Sequence, residues 1–249
     1  MRMSLIEHLD ELRKRIIIVL VTFVSFLCLS LFFAKDILQI ILKDLNEQLA
    51  ILGPGEILWI YMTVAGIVAI ACTIPVSAFQ VWKFVKPALT NEEQKTSLAF
   101  IPGLFLLFLL GLSFGYFILF PIVLSFLKSL AGSQFQLFFT VDKYFKFMIN
   151  LVLPFGFLFE MPAVIMFLTK IGIINPNRLI KARKVSYFVL VVISVIISPP
   201  DMVSDIIVTV PLLALYEFSI TLSKIVYRKR IVLRETSNVS GLEKAKVSL

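Results

Sequence analysis

The sequence holds little of what metal centres and disulfide scaffolds need. It has one histidine, His8, and two cysteines, Cys28 and Cys72. A metal site built from several histidines and the HExxH pair of an intramembrane metalloprotease are therefore not expected. Both cysteines lie within apolar runs, which excludes a disulfide between loops and predicts that they pack as small apolar residues.

Catalytic groups are also scarce in the apolar runs. No aspartate lies within a run, and no histidine or lysine lies near the centre of one. An intramembrane aspartyl pair and a base-activated serine are therefore not expected. The sequence contains no P-loop for nucleotide phosphates. We predict that the protein is not an enzyme and uses no cofactor or metal.

Apolar residues are abundant: they make up 59% of the 249 residues, and the mean hydropathy is +0.97. Soluble domains are about 45–50% apolar, so this composition indicates a polytopic membrane protein. The runs lack the alternation of a membrane β-barrel, which favours an all-α fold. Six runs are predicted to cross the membrane: residues 16–33, 57–82, 98–127, 147–169, 185–200 and 206–223.

The basic residues are distributed unevenly around these spans. With the N-terminus inside, 19 of the 24 Lys and Arg residues lie in inner segments and five lie in outer segments. This pattern predicts that both termini are cytoplasmic. It also accounts for the net charge of +8 without nucleic acid as a partner. Residues 1–230 are predicted to form one membrane domain, and residues 231–249 a disordered cytoplasmic tail.

The fifth predicted span is short. Its 16 residues extend about 24 Å, against about 30 Å for the hydrocarbon core. Spans five and six are therefore expected to thin the bilayer locally or to recruit flanking residues, unless the true boundaries lie a few residues further out.

Two outer segments carry their own helical signals. The apolar residues of 34–49 recur at helical spacing and predict an amphipathic helix on the outer surface. Residues 135–147 are aromatic-rich and predict a second surface helix. The two either cap the outer side of the bundle or serve as interfacial anchors.

Prolines and glycines shape the predicted spans. Each proline removes a helix hydrogen bond, so a kinked, curved bundle is expected. Gly111 and Gly115 form a GxxxG motif, which predicts a close contact between helices. The interrupting prolines are Pro75, Pro102, Pro121, Pro154, Pro162 and Pro211.

Glu160 is the only charged residue in the fourth span. A charge at mid-membrane costs about 2.5–3.5 kcal/mol, so Glu160 is a functional-site candidate. One alternative is a packing role, with a protonated Glu160 hydrogen-bonded to a neighbouring helix. Another is a proton- or ion-coupled small-solute transporter that uses Glu160, alone or with Glu217. Such a transporter is expected to show inverted repeats, and no internal repeat is evident.

Acidic residues stand out on the basic inner face. Glu7, Asp10 and Glu11 precede the first span, and Glu92 and Glu93 lie in the first inner loop. Two carboxylate clusters at headgroup level suit a cationic peptide with neighbouring arginines, which make bidentate contacts. From charge alone, salt bridges to nearby Arg and Lys residues are the favoured interpretation.

Six sequence motifs together resemble the TatC family, the six-span receptors of the twin-arginine protein translocase. They follow one another in order across residues 5–230. The motifs are HLDELRKR at 8–15, VWKFVKPAL at 81–89 with Glu93 after it, FGYFILFP at 114–121, FEMP at 159–162, SPPD at 198–201, and residues 211–217.

The resemblance implies a concave bundle of six helices, with short helices five and six, in a bacterial cytoplasmic membrane. It implies binding of twin-arginine signal peptides on folded cargo proteins. TatA-type single-span subunits, the proton-motive force and a homo-oligomer or larger multimer are implied as well. Residues 52–59 resemble Gram-positive members, which suggests a system without a separate TatB-type subunit.

The family's functional residues map onto this chain by motif. Glu160 matches an intramembrane glutamate that faces the concavity, and Asp201 and Glu217 are further motif residues. Gln94 departs from the family, which often has a basic residue after the loop glutamate. The residues implied to form the signal-peptide site are Glu11, Arg13, Phe84, Pro87, Leu89 and Glu93.

Overall fold

The computed structural model describes residues 5–43, 49–86, 94, 98, 100–131 and 138–247. Within these residues the chain is almost entirely helical, as predicted. The elements are α1 (Leu5–Lys43), α2 (Pro54–Val85), α3 (Phe100–Phe114), a π-helical turn (Gly115–Leu119), α4 (Phe120–Ala131), α5 (Val141–Leu158), α6 (Met161–Ile171), α7 (Pro176–Ile197) and α8 (Met202–Val247).

Five stretches of the described chain are long and apolar enough to cross a membrane. They are Leu9–Lys43, Pro54–Val85, Phe100–Leu130, Val141–Ile171 and Met202–Arg228. The helix α7 is not among them, because Lys181, Arg183 and Lys184 leave only residues 185–197 uncharged. That part is about 20 Å long. The all-α membrane fold is confirmed, whereas the count of six spans, the orientation of the termini and the division at residue 230 stay predictions.

The first helix is longer than its predicted span. The 39 residues of α1 extend about 58 Å, nearly twice the hydrocarbon core. The prediction of a separate surface helix at 34–49 is therefore wrong, since residues 34–43 continue α1 and residues 44–48 lie outside the described chain. No glycine or proline interrupts α1, and Ala34 and Leu38 are buried.

The predicted surface helix at 135–147 is also not separate. Residues 141–147 form the first turns of α5, which begins after the N-cap Thr140 and runs on into the fourth span. Residues 135–137 lie outside the described chain. The backbone before α2 meets the start of α5 through two hydrogen bonds: Ala50 N donates to Phe139 O, and Val141 N donates to Ala50 O, each at 3.0 Å.

The predicted close helix contact at the GxxxG motif is confirmed. A Cβ atom added to Gly111 would lie 2.4 Å from the carbonyl oxygen of Phe155, and one added to Gly115 would lie 2.9 Å from Cα of Val152. The absence of side chains at these two positions lets α3 and the π-helical turn touch the backbone of α5.

The buried core connects α2, α5 and α8. Phe145, Leu151 and Phe155 of α5 are fully buried, as are Val208 and Leu212 of α8. Many apolar side chains on the outside of the bundle are exposed, as expected for helices that face lipid. This core holds α2 and the α5–α6 break in the positions that define the candidate site.

Candidate functional site

The N-terminal part of α1 carries a cluster centred on Arg15. One turn separates Arg15 from Glu11, and the two form an ion pair. Arg15 Nη1 also lies 3.5 Å from the carbonyl oxygen of Gln80, and its guanidinium lies 6.0 Å from the ring centroid of Phe84. The structure therefore brings together two predicted site residues, Glu11 and Phe84, and places an arginine of the chain itself between them.

Arg13 makes its ion pair outside this cluster, and its predicted role in the site stays a prediction. It pairs with Asp10 at 2.7 Å, and Lys14 pairs with the same carboxylate at 2.8 Å. Their side chains are 71% and 69% exposed, so these are solvated surface pairs worth little to stability. For Glu11 and Asp10, the salt bridges expected from charge alone are present.

Three other predicted residues of this site, Pro87, Leu89 and Glu93, lie outside the described chain, so their placement stays a prediction. In the sequence, Arg15 is one of several basic residues close to acidic ones. Its i,i+4 spacing from Glu11 is the signal that could have singled it out, because residues four apart meet on one helix face.

Glu160 lies at a break in the fourth span. α5 ends at Leu158 and α6 begins at Met161, and Phe159 and Glu160 form a turn between them. Pro162, which has no N–H, cannot donate to the carbonyl of Leu158, which explains the break at this point. Glu160 N instead donates to Phe157 O at 3.1 Å, and Val164 N donates to Glu160 O at 3.0 Å.

The Glu160 side chain lines an apolar cavity of about 300 Å³ between α2, α3 and α6. Its Oε1 atom is buried and has no hydrogen-bond partner among the described residues. Trp82 lies on the α2 wall of the same cavity. Its Nε1 atom is also buried and also has no hydrogen-bond partner among the described residues. The packing role considered for Glu160 needs a hydrogen bond to a neighbouring helix, and Oε1 makes none to the described residues. Trp82 was not identified as a site residue from sequence, since nothing along the chain links it to Glu160.

Glu217 has partners within the chain. Its Oε2 accepts a hydrogen bond from Arg183 at 2.6 Å, and its Oε1 accepts one from the hydroxyl of Tyr187. Both partners lie on α7, so Glu217 connects α8 to α7. A carboxylate in an apolar run implies a cationic partner, but the sequence alone did not say which of the inner basic residues it is.

Asp201 lies in the turn between α7 and α8. Its Oδ1 accepts a hydrogen bond from Ser204 N at 2.7 Å, the geometry of a helix N-cap. Next to it, Ser198 donates to Asp205. This arrangement gives Asp201 a structural role at the start of α8.

Chemically, the described site offers two kinds of recognition. Near the N-terminus of α1, a carboxylate and an aromatic ring hold the guanidinium of Arg15, and these are contacts that arginine favours. Within the bundle, Glu160 and Trp82 offer unpaired polar atoms in apolar surroundings. An all-α chain with five helical stretches long and apolar enough to cross a membrane belongs among the polytopic membrane proteins.

The comparisons with known proteins agree with that class. The family model described as Sec-independent protein translocase protein (TatC) matches residues 7–211. The chain is 60% identical to TatCd of Bacillus subtilis (strain 168), over 91% of this chain and 94% of that protein. It is 45% identical to TatCy of the same organism, over 92% and 91%. A crystal structure of the twin-arginine translocase receptor TatC is similar with a TM-score of 0.76 and 38% identity, covering 88% of this chain and 99% of that one.

The chain belongs to the TatC family of Sec-independent protein translocase proteins. It is a multi-pass protein of the cytoplasmic membrane and a subunit of the twin-arginine translocase, which confirms the resemblance seen in its motifs. The alternative of a small-solute transporter finds no support in these relatives.

Proposed function

We propose that this subunit is the receptor for twin-arginine signal peptides on folded cargo proteins. The observation that carries the proposal is the Glu11–Arg15–Phe84 cluster. In this cluster a guanidinium lies between a carboxylate and an aromatic ring, which supports a site for arginine. An arginine of a signal peptide uses the same contacts when it takes the place of Arg15.

Recognition of an arginine pair needs a second carboxylate. We assign that role to Glu93 in the first inner loop, with Pro87 and Leu89 shaping the loop and Arg13 at the rim of the site. Each hydrogen bond to a charged partner contributes about 1.5–3 kcal/mol. Lysine replaces arginine poorly, because a point charge cannot make the bidentate contact.

Glu160 acts at a later step, in assembly with TatA-type single-span subunits. A buried acceptor without a hydrogen bond costs about 1–3 kcal/mol. A polar side chain on an incoming helix relieves that cost at Oε1, and Trp82 Nε1 offers a second contact in the same cavity. The assembled complex holds several copies of the subunits and draws on the proton-motive force.

The helix α7 completes the bundle as a sixth, short span, with both termini cytoplasmic. Support comes from its packing with α8 as a hairpin. Besides the contacts of Glu217, Ser194 and Thr209 share a hydrogen bond of 2.6 Å between these helices. The uncharged part of α7 is shorter than the hydrocarbon core, so the bilayer is expected to thin around it.

A reporter-export assay tests the receptor function. The chain is expressed with a TatA-type partner in cells that lack their own system, and the reporter carries a signal with paired arginines or paired lysines. The arginine signal is expected to direct export and the lysine signal to fail. Equal export of both reporters, or export of neither, contradicts the proposal, whereas full export with Glu93→Ala contradicts only the assignment of Glu93.

A further inference from the structure

Three consecutive basic residues of α1 differ in exposure. The side chains of Arg13 and Lys14 are exposed and share the carboxylate of Asp10, whereas the side chain of Arg15 is only 13% exposed. Consecutive residues of a helix point about 100° apart, so the three side chains cannot all face α2. Arg15 takes that direction, and its guanidinium lies between Glu11 of its own helix and the end of α2.

The contacts of Arg15 use atoms that a second arginine would need. Its Nη2 donates to Oε1 of Glu11, and its guanidinium lies 6.0 Å from the ring centroid of Phe84. A bidentate contact between an arginine and a carboxylate takes both carboxylate oxygens. Because Arg15 holds Oε1, an arginine from another chain cannot make that contact with Glu11 until Arg15 leaves. The two guanidinium groups therefore exclude each other.

Arg15 is held loosely enough to be displaced. A guanidinium has five N–H donors, but few of these are well used in Arg15. Nη1 lies 3.5 Å from the carbonyl oxygen of Gln80, longer than the usual hydrogen bond, and Nε is buried without a hydrogen-bond partner among the described residues. An arginine that makes two parallel hydrogen bonds to Glu11 is the better ligand. The covalent link to α1 nevertheless keeps Arg15 beside the site at high effective concentration.

We propose that Arg15 is an internal competitor: it occupies the arginine site at Glu11 in the resting chain and thereby regulates the binding of the signal peptide. This inference rests on the proposed function and adds regulation to the same site. When only a fraction of the molecules has an open site, the apparent affinity for every peptide falls by that fraction. A contact that leaves about one site in ten open weakens binding about tenfold, so that peptides with weak basic segments are rejected and tightly binding signals remain.

A titration of the full chain in lipid nanodiscs with a fluorescent paired-arginine peptide tests this regulation. Arg15→Gln removes the competitor, and Arg15→Lys keeps the charge but lacks the planar guanidinium. Lys14→Gln is the matched control, because it removes the same charge one position away, where the side chain is exposed and pairs with Asp10. Arg15→Gln is expected to bind the peptide about tenfold more tightly than wild type, and Arg15→Lys about threefold more tightly. Lys14→Gln should stay within about twofold of wild type.

The two Arg15 variants together separate competition from simpler effects. Unchanged or weaker binding in both overturns the proposal, because Arg15 then only supports the packing of α1 on α2. An equal gain in Arg15→Gln and Lys14→Gln, with no gain in Arg15→Lys, also overturns it, since the lost charge alone would account for that result. If Arg15→Gln does not fold, Arg15→Lys decides alone.

A paired-lysine peptide in the same titration distinguishes this inference from the proposed function. A wild-type preference for arginine, together with no gain in the Arg15 variants, contradicts the internal competitor only. Equal affinity of the wild-type chain for the two peptides contradicts the proposed function and the internal competitor with it.

Discussion

Three carboxylates in or beside the apolar spans differ in what surrounds them. Glu11 is paired with Arg15, and Glu217 is paired with Arg183 and Tyr187. Glu160, in contrast, presents a buried Oε1 without a partner among the described residues. Glu217 connects α8 to α7 and Glu11 pairs within α1, whereas Oε1 of Glu160 makes no such contact with the described residues.

At Glu160 we expect substitution to impair assembly more than signal binding. Glu160→Ala removes the polar group that a partner helix contacts, so crosslinking to a TatA-type subunit should fall about tenfold, the effect of one lost hydrogen bond to a charged or buried group. Glu160→Gln keeps a hydrogen-bonding side chain and should retain most of the crosslinking. Signal-peptide affinity, measured on the same preparations, should stay within about twofold of wild type. A loss of peptide binding in Glu160→Ala equal to the loss of crosslinking contradicts this role.

Glu217 and Arg183 are expected to be coupled in stability. Their side chains are each 38% exposed, so the pair is partly screened and its coupling should be about 0.5–1 kcal/mol. A double-mutant cycle of Glu217→Ala and Arg183→Ala, followed by thermal unfolding in detergent, measures it. Strictly additive effects of the two substitutions would show that the pair contributes nothing.

The sequence identified the carboxylates better than their partners. Glu160 stands out because its span holds no other charge, and Glu11 stands out because it is an acid on a face that is predicted to be basic; both patterns are visible in the sequence. Trp82 lies beside the Glu160 cavity, and Tyr187 contacts Glu217, because of the way the helices rotate against one another, which depends on packing. Composition and periodicity do not determine that rotation.

Among the elements, the crossing of α3 and α5 depends on Gly111. A side chain there would collide with the backbone of α5, and overpacking of this kind costs about 1–3 kcal/mol or more. We expect Gly111→Val to lower the thermal unfolding temperature in detergent clearly. Gly66→Val, at an open position on α2, is the control and should have little effect. Equal unfolding temperatures for the two variants would mean that the close approach is not needed.

The apolar runs predicted where the membrane-spanning helices lie, but they predicted the ends and breaks of these helices only in part. Pro162 indicated a kink, and the chain breaks at Phe159 and Glu160 just before it. By comparison, α2 continues through Pro75 without a break. The π-helical turn at Gly115–Leu119 had no signal of its own, because it reflects contact with α5 together with the missing N–H of Pro121.

At the scale of the whole molecule, the C-terminal end of α2 links the two candidate sites. Gln80 and Phe84 contact Arg15, and Trp82, between them in sequence, lines the Glu160 cavity. The Arg15 cluster and the Glu160 cavity therefore share one turn of α2. Under the proposed function, we expect a signal peptide that displaces Arg15 to act directly on the helix end that carries Trp82.

The central claim is that the chain recognises paired arginines of a signal peptide with Glu11, and a binding titration tests it most directly. The purified full chain in lipid nanodiscs is titrated with a fluorescent signal peptide that carries paired arginines or paired lysines. The test variant is Glu11→Gln and the control variant is Asp142→Asn. Asp142 forms a similar i,i+4 ion pair, with Lys146 at 3.0 Å, but this pair lies on the predicted outer side.

The wild type and Asp142→Asn are expected to bind the arginine peptide at least about tenfold more tightly than the lysine peptide, as the bidentate contact implies. Glu11→Gln should lose most of that preference. Equal affinity of the wild-type chain for the two peptides would contradict the account.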